Sequence, residues 1–310
     1  MVNRLLQETS SHGNRLLLIP VERLNTLKEE LDRFQKEEEL NGFQRWIVEE
    51  LYHYDIPETG FEVKSIILVA LAHPPYAEVE LTWKGSIHKV ISLIMPDFDE
   101  TRDRINSLLK EEGYHCCPAD NLPLKRLAVQ SGLSEYGRNN ITYIEGMGSN
   151  FSYDALFTDL PCEEKHWRPL TINESCMNCR RCIRSCPTGA IRPERFLIDN
   201  QRCLSAMNEM PGEFPEWLPI SVHHTMYDCL RCQEVCPMNK EAMSIVPPTI
   251  SFSEEETEQL LEGAPYESLS AFMKSKTKLL GLDPWMSAIP RNLRILLEQT
   301  ADRTNAICGV

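Results

Sequence analysis

From Val21 to Phe34 the apolar residues Val21, Leu24, Leu27, Leu31 and Phe34 recur every three or four positions among charges, which predicts an amphipathic helix. A second helical stretch runs from Phe43 to Leu51 and ends before Pro57. The pattern then changes: Ser65 to Ala72 is an almost unbroken apolar run, as expected of a strand covered on both faces. Val79 to Trp83 and Lys89 to Ile94 read as further strands. Thr101 to Glu112 and Leu124 to Ser131 read as helices, the second stopped by Gly132. Helices and strands mixed in this way over residues 1–165 predict an α/β domain.

From Cys162 to Ala242 cysteine, proline and short loops replace periodicity, and residues 166–242 read as a separate small domain. After Pro247-Pro248 helical spacing returns over residues 243–310, with Ser253 and Glu256 placed for a capping box and Gly263 for a helix stop.

Composition narrows the partners. The 310 residues carry 32 Lys and Arg against 46 Asp and Glu, a formal charge of −14. That argues against a broad nucleic-acid face, which needs clustered cations, and leaves room for a small basic patch. Within 162–242 the balance is nearly even, ten against eleven, and Arg180, Arg181 and Arg184 form a local basic group. This group suits an anionic cluster, an acidic low-potential electron donor or a tRNA phosphate. No apolar run reaches the ~18 residues of a membrane span, and the start Met1-Val2-Asn3-Arg4 lacks the basic segment, long apolar core and cleavage site expected of a leader. A cytoplasmic chain with no membrane partner is expected; oligomeric state is not readable.

Twelve cysteines need a use in a reducing compartment. Cys176, Cys179, Cys182 and Cys186-Pro187 form C-x2-C-x2-C-x3-C-P, the bacterial ferredoxin run in which three thiolates hold one cubane and the fourth holds another. Cys203, Cys229, Cys232 and Cys236-Pro237 repeat it, with 25 residues (204–228) in place of the usual two between the first pair. Two [4Fe-4S] clusters should therefore form, one on Cys176, Cys179, Cys182 and Cys236, the other on Cys203, Cys229, Cys232 and Cys186. A zinc or disulfide framework is the alternative use of C-x2-C pairs. Cys116, Cys117, Cys162 and Cys308 have no ligand spacing and read as small buried hydrophobes.

Absences bound the chemistry. There is no radical S-adenosylmethionine C-x3-C-x2-C run, no phosphate-binding G-x-x-x-x-G-K and no D-x-H-x-x-G to place a histidine under cobalt. Gly146-Met-Gly148-Ser-Asn-Phe151 lacks the third glycine of a dinucleotide loop and reads as a tight turn. The adjacent pair His223-His224 points two ways and predicts no metal site.

One family joins these features in this order. The turn Asp120-Asn-Leu-Pro123, a helix, Ser131-Gly-Leu-Ser-Glu-Tyr136-Gly-Arg-Asn-Asn140, Asp159-Leu-Pro161, Cys186-Pro-Thr-Gly-Ala-Ile191 and Tyr227-Asp-Cys-Leu-Arg-Cys-Gln233 together resemble epoxyqueuosine reductase, from about Ile66 to Asn239. That family is similar to the reductive dehalogenases. The resemblance implies a nitroreductase-like α/β platform carrying cobalamin, a 2[4Fe-4S] ferredoxin-type domain and a C-terminal helical segment. It also implies an oxidoreductase that removes an epoxide oxygen during queuosine modification of tRNA. Asp120 matches the family's acid, and Tyr136, Arg138 and Asn139 fall where corrin or substrate contacts belong. Read alone, Asp120 is equally a turn or helix-capping residue and Tyr-Gly-Arg-Asn an ordinary surface turn. Two departures stand out: Gly137-Arg138-Asn139-Asn140 replaces a Gly-Lys-His-Ser-like turn, and only about 70 residues follow the second cysteine run. An electron-relay or corrinoid-reducing protein without a tRNA substrate is the alternative reading.

Overall fold

The computed structural model describes residues 1–163 and 166–308, with side chains through residue 300. The chain packs as two units: residues 1–72 with 96–179, and residues 73–95 with 180–310. The units do not follow the linear division 1–165, 166–242 and 243–310 expected from the sequence.

The first unit contains α1 (Val2–Ser11), β1 (Arg15–Pro20), α2 (Arg23–Glu37), α3 (Gly42–Trp46) and β2 (Ser65–Ala72). The hairpin β3 (Ala77–Trp83) and β4 (Ser86–Ser92) that follows packs in the second unit. The first unit then resumes with α4 (Phe98–Glu111), β5 (Cys116–Pro118), α5 (Leu124–Gln130), β6 (Glu135–Tyr136), β7 (Thr142–Tyr143) and β8 (Phe151–Thr158). Its main sheet runs β1-β2-β8-β5 with every pair antiparallel. β2 is buried at seven consecutive positions, as its apolar run predicts, because it is central and helices cover both faces. On one face Leu24, Leu27 and Leu31 of α2 meet Leu127 and Ala128 of α5 over Ile66 and Leu68. On the other, Leu5 of α1 and Ile105 and Leu109 of α4 cover Ile67, Val69 and Leu71. Each such fully buried leucine contributes roughly 1.5–3 kcal/mol. Cys116 packs on the second face and Cys117 on the first, as neighbours on a strand must. The helical stretch after Asn41 begins with a capping box to Gln44 and ends as a π turn, Ile47–Leu51.

In the second unit, Lys84 and Gly85 both hold positive φ (50° and 72°), the two-residue turn that matches strand twist. That turn ends β3 at Trp83 and starts β4 at Ser86, three residues before the strand expected from Lys89. The remaining elements are α6 (Arg181–Ser185), α7 (Leu204–Glu209), α8 (Arg231–Glu234), β9 (Thr249–Phe252), α9 (Glu254–Glu262), α10 (Ala271–Leu279) and α11 (Ile289–Cys308). β9 pairs in parallel with β3, so the hairpin belongs to the helical C-terminal core of Leu260, Met273, Leu280, Leu293 and Leu297. Ser253 and Glu256 form the expected capping box, worth about 1 kcal/mol, and Gly263 ends α9 at φ 75°. The Cys308 side chain lies outside those described. Among the described residues no helix is long and apolar enough to cross a membrane.

Candidate functional site

The Asp120 turn joins β5 to α5. Asn121 adopts positive φ (59°) and its carbonyl accepts the His53 N–H at 3.1 Å, which ties the turn to the segment after the π turn. Asp120 caps no helix: Pro123 precedes α5 and no side-chain cap bond is made. Its carboxyl is 73% exposed and lies 3.8 Å from Arg102 Nη2. Leu122 is buried in the core behind it, so the chain alone supplies none of the burial expected around a proton-donating carboxyl.

The Tyr136–Asn140 turn lies in the same unit. Gly137 N–H bonds to Ile141 O at 2.7 Å, and a Cβ on Gly137 would lie 2.5 Å from Tyr143 Cε2 and 2.7 Å from Asn139 Oδ1. Only glycine fits there. Asn139 is 3% exposed; its amide donates to Tyr143 Oη at 2.8 Å and accepts from Ile141 N–H at 3.4 Å. Its polar groups therefore hold the turn together. Tyr136 is buried, which raises its phenol well above the ordinary range, with Arg126 opposing. Tyr136 O accepts from Asn173 N–H at 2.8 Å, Asn173 O accepts from Cys176 N–H at 2.9 Å, and Arg138 Nη2 reaches Cys176 O at 3.5 Å. The turn and the first cysteine loop are thus joined by backbone and side-chain bonds. Gly146 and Gly148 do form a tight turn, closed by Ile144 and Gly148.

Sequence reasoning missed a second group in this neighbourhood. Arg126, on α5, stacks over the Phe34 ring at 4.3 Å and has no hydrogen-bond or ion-pair acceptor for its guanidinium among the described residues. Burial lowers its pKa, against the pull of Tyr136, Tyr52, Glu30 and Tyr54. The buried Tyr54 Oη, beside this arginine, and Gln130 Oε1, whose amide group bonds to Glu30, lack protein partners. Buried polar atoms are normally satisfied, so an unmatched set of donors and acceptors fits a bound polar ligand. The one sequence signal was an arginine on the buried side of a short helix.

In the second unit three thiols of the proposed second cluster come together: Cys186 and Cys203 each perturb Cys229. Backbone amides surround the sulfurs. Burial pushes the Cys186 thiol up, but N–H groups of Thr188, Ile191 and Ala190 outweigh it and its pKa falls. Ser205 and Ala206 amides face Cys203, and Arg231's faces Cys229, although burial keeps Cys203 raised and pushes Cys229 up to about 12. Gly189, Asp228 and Leu230 take positive φ (67°, 63° and 49°), turning these amides inward. Amide donors aimed at sulfur are what an anionic thiolate cluster requires. Among the described residues, no three His, Cys, Asp or Glu side chains converge at single-ion spacing.

The long insertion 204–228 is held by α11. Asn292 Nδ2 lies 2.8 Å from Asn208 O and 2.9 Å from Met226 O, while Asn208 Nδ2 and Thr225 Oγ1 both donate to Asp228 O, at 2.8 and 3.0 Å. The C-terminal helix thereby fixes the strained backbone beside Cys229. Arg180, Arg181 and Arg184 are exposed, and none makes a salt bridge among the described residues.

Comparison with known proteins gives five findings. Residues 175–239 match the family model of a 4Fe-4S double cluster binding domain. An epoxyqueuosine reductase of Shewanella oneidensis is 30% identical over 156 residues, 48% of this chain and 36% of that one. A tetrachloroethene reductive dehalogenase of Desulfitobacterium hafniense is 27% identical over 141 residues, 44% of this chain and 25% of that one. An epoxyqueuosine reductase of Bacillus subtilis, solved with its catalytic aspartate loop swung out of the active site, superposes with TM-score 0.64 at 20% identity over 96% of this chain and 80% of that one. An epoxyqueuosine reductase solved with a modified tRNA stem-loop superposes with TM-score 0.61 at 19% identity, with the same coverage. The chain spans about a quarter to a third of the curated relatives it matches. The resemblance read from the sequence is borne out: a mixed α/β chain with a 4Fe-4S double cluster binding domain, similar to epoxyqueuosine reductases in sequence and in fold.

Proposed function

We propose that the protein is an iron–sulfur, cobalamin-dependent reductase that removes an epoxide oxygen from a tRNA-borne epoxyqueuosine. The observation that carries the reading is the joining of three parts: the Asp120 turn, the unmatched Arg126–Tyr54 group beside Tyr136, and a cysteine loop bonded to the Tyr136–Asn140 turn. The α/β unit would serve as a nitroreductase-like platform. Cys176, Cys179, Cys182 and Cys236 would hold one [4Fe-4S] cluster, and Cys203, Cys229, Cys232 and Cys186 the other. Bound cobalamin would supply a two-electron centre able to attack carbon, charged through the clusters one electron at a time.

The chain's own residues do the rest. Arg126 and Tyr54 would offer polar partners to the bound group, and Tyr136 and Arg138 would help to hold it. Asn139 acts one step back, by fixing the turn. Asp120 delivers the proton to the leaving oxygen, a contribution of typically 10²–10⁴-fold. Its exposure leaves it open to a substrate and corrin that bury it on binding. Arg180, Arg181 and Arg184 offer the only basic patch the sequence singles out, for an acidic electron donor or for the phosphates of the stem-loop. A cytoplasmic location suits these partners.

The test is the visible spectrum of anaerobically purified protein titrated with cobalamin. Broad iron–sulfur absorption that bleaches on reduction and saturable, equimolar cobalamin binding weakened by Arg126→Met are expected. Clusters without any cobalamin binding would leave an electron relay in place of this reading.

A further inference from the structure

Arg126 of α5 is a partly buried cation that lacks an anion. Its guanidinium lies 4.3 Å from the centre of the Phe34 ring and has no hydrogen-bond or ion-pair acceptor among the described residues. A ring face offsets part of the desolvation of an arginine but leaves its five N–H donors, which lie in the guanidinium plane, unused. Arginine, unlike a buried lysine, cannot relieve the cost by losing its proton. The carboxylate that acts on it, Glu30 of α2, is engaged elsewhere: Gln130 Nε2 and Trp167 Nε1 donate to it, the indole at 3.2 Å. Tyr54 Oη is buried and donates to nothing, and the ammonium of Lys28 of α2 lies 5.9 Å from the centre of the Tyr54 ring. Burial raises the Tyr54 and Tyr52 phenols, so both remain donors. Asp32, the acid that acts on Tyr54, is exposed. Gln130 follows Arg126 by one turn on the same face of α5, is 1% exposed, and its Oε1 accepts nothing. Two donor groups and one acceptor are thus left open together.

We propose that Arg126, with Tyr54 and Gln130, is an oxyanion site that takes a phosphodiester of a bound ligand together with a neighbouring hydroxyl. The inference rests on the reading of the Arg126–Tyr54 group as part of a ligand site. A guanidinium presents paired N–H donors that match two phosphate oxygens, and a phenol adds a third donor. An oxyanion therefore supplies the charge and the acceptors that this corner of the unit lacks. Gln130 Oε1 needs the opposite partner, an O–H or N–H on the same ligand. Both ligands of the proposed function carry a phosphodiester beside a sugar hydroxyl: cobalamin in its nucleotide tail, the stem-loop along its backbone.

The experiment uses the anaerobic protein with both clusters in place, labelled with ¹⁵N-arginine. The Arg126 Nε–H signal is identified by its loss in Arg126→Lys and followed by NMR as inorganic phosphate replaces chloride at constant ionic strength. A saturable shift in the millimolar range is expected, with the midpoint raised roughly tenfold in Tyr54→Phe, which keeps the ring and its packing. No shift beyond that in chloride, or an unchanged midpoint in Tyr54→Phe, overturns the site. Blocking then names the source. If cobalamin suppresses the response and cobinamide, which lacks the nucleotide tail, does not, the phosphodiester is the cofactor's. Arg126→Gln should in that case weaken cobalamin roughly ten- to hundredfold and leave cobinamide unchanged. Suppression by the stem-loop alone makes it the RNA's. A response that survives both ligands once they are bound overturns the assignment. A phosphate response in a protein that binds no cobalamin upholds the site and removes the cobalamin reading, and cobalamin binding without a phosphate response does the reverse.

Discussion

Acid should loosen the loop that carries Cys229 before it loosens the rest of the protein, through His223. That ring is 3% exposed and lies in the 204–228 insertion. Asn208 Nδ2 is committed to Asp228 O, so Asn208 Oδ1 faces His223 Nδ1 at 3.1 Å and requires the ring to donate from that nitrogen. Phe214 tilts against it at 4.4 Å, and Arg291 stacks on Phe214 at 3.7 Å. Burial, with Arg291 and His224 adding repulsion, lowers the His223 pKa from 6.5 to about 4. A depressed histidine stays neutral in the closed state and takes a proton once the segment opens. Stability is therefore full above pH 6.5 and is lost as pH falls toward 4. Between pH 8 and pH 5 the loss is about 2 kcal/mol, or roughly thirtyfold in the opening equilibrium. Native-state hydrogen exchange on the holoprotein reads it directly: protection of the amides around Asn208 and Thr225, corrected for intrinsic rates, should fall by that factor. In His223→Gln, which keeps an amide donor for Asn208 but has no titrating ring, the same amides should show a nearly flat profile. An equal slope in both proteins would refute the argument and place the acid-sensitive group elsewhere.

Gly137→Ala should destabilise the first unit by about 1–3 kcal/mol, a drop of several degrees by differential scanning calorimetry, because the added methyl meets Tyr143 and a hydrogen-bonded Asn139. An unshifted melting temperature would mean that Tyr143 yields. Cys186→Ser should remove the cluster it shares with Cys203, Cys229 and Cys232 while four irons stay on the other set; iron analysis with EPR that showed the reverse loss would sink the cross-ligated assignment.

Where the sequence was readable and where it was not follows from the range of the interactions. The β2 run, the Ser253–Glu256 box and the Gly263 stop depend on neighbours within a few residues, and each is present as expected. The cysteine spacing is local too, and it matched a double-cluster model. The division into units was not readable, because β3 is claimed by β9 some 170 residues later, a parallel pairing with no local signal. β1 and β8 escaped notice as well. Phe151–Thr158 mixes apolar, hydroxyl and acidic residues, and Asp154 is explained only by Arg102 from a distant helix. Asp120 was found through a motif, but its exposure and its arginine neighbour were not. The Arg126–Tyr54 group had no motif at all; it is visible only as polar atoms left without partners when the chain is folded.

The measurement that bears most directly on the central claim is a single turnover: anaerobic, pre-reduced protein with bound cobalamin, mixed with an epoxyqueuosine-bearing tRNA stem-loop, and the nucleoside released and weighed by mass spectrometry. The account predicts loss of one oxygen to give queuosine, slowed about 10²–10⁴-fold in Asp120→Asn with iron and cobalamin content unchanged. An unaltered epoxide after the clusters and cobalamin have been shown to be present and reduced would contradict it.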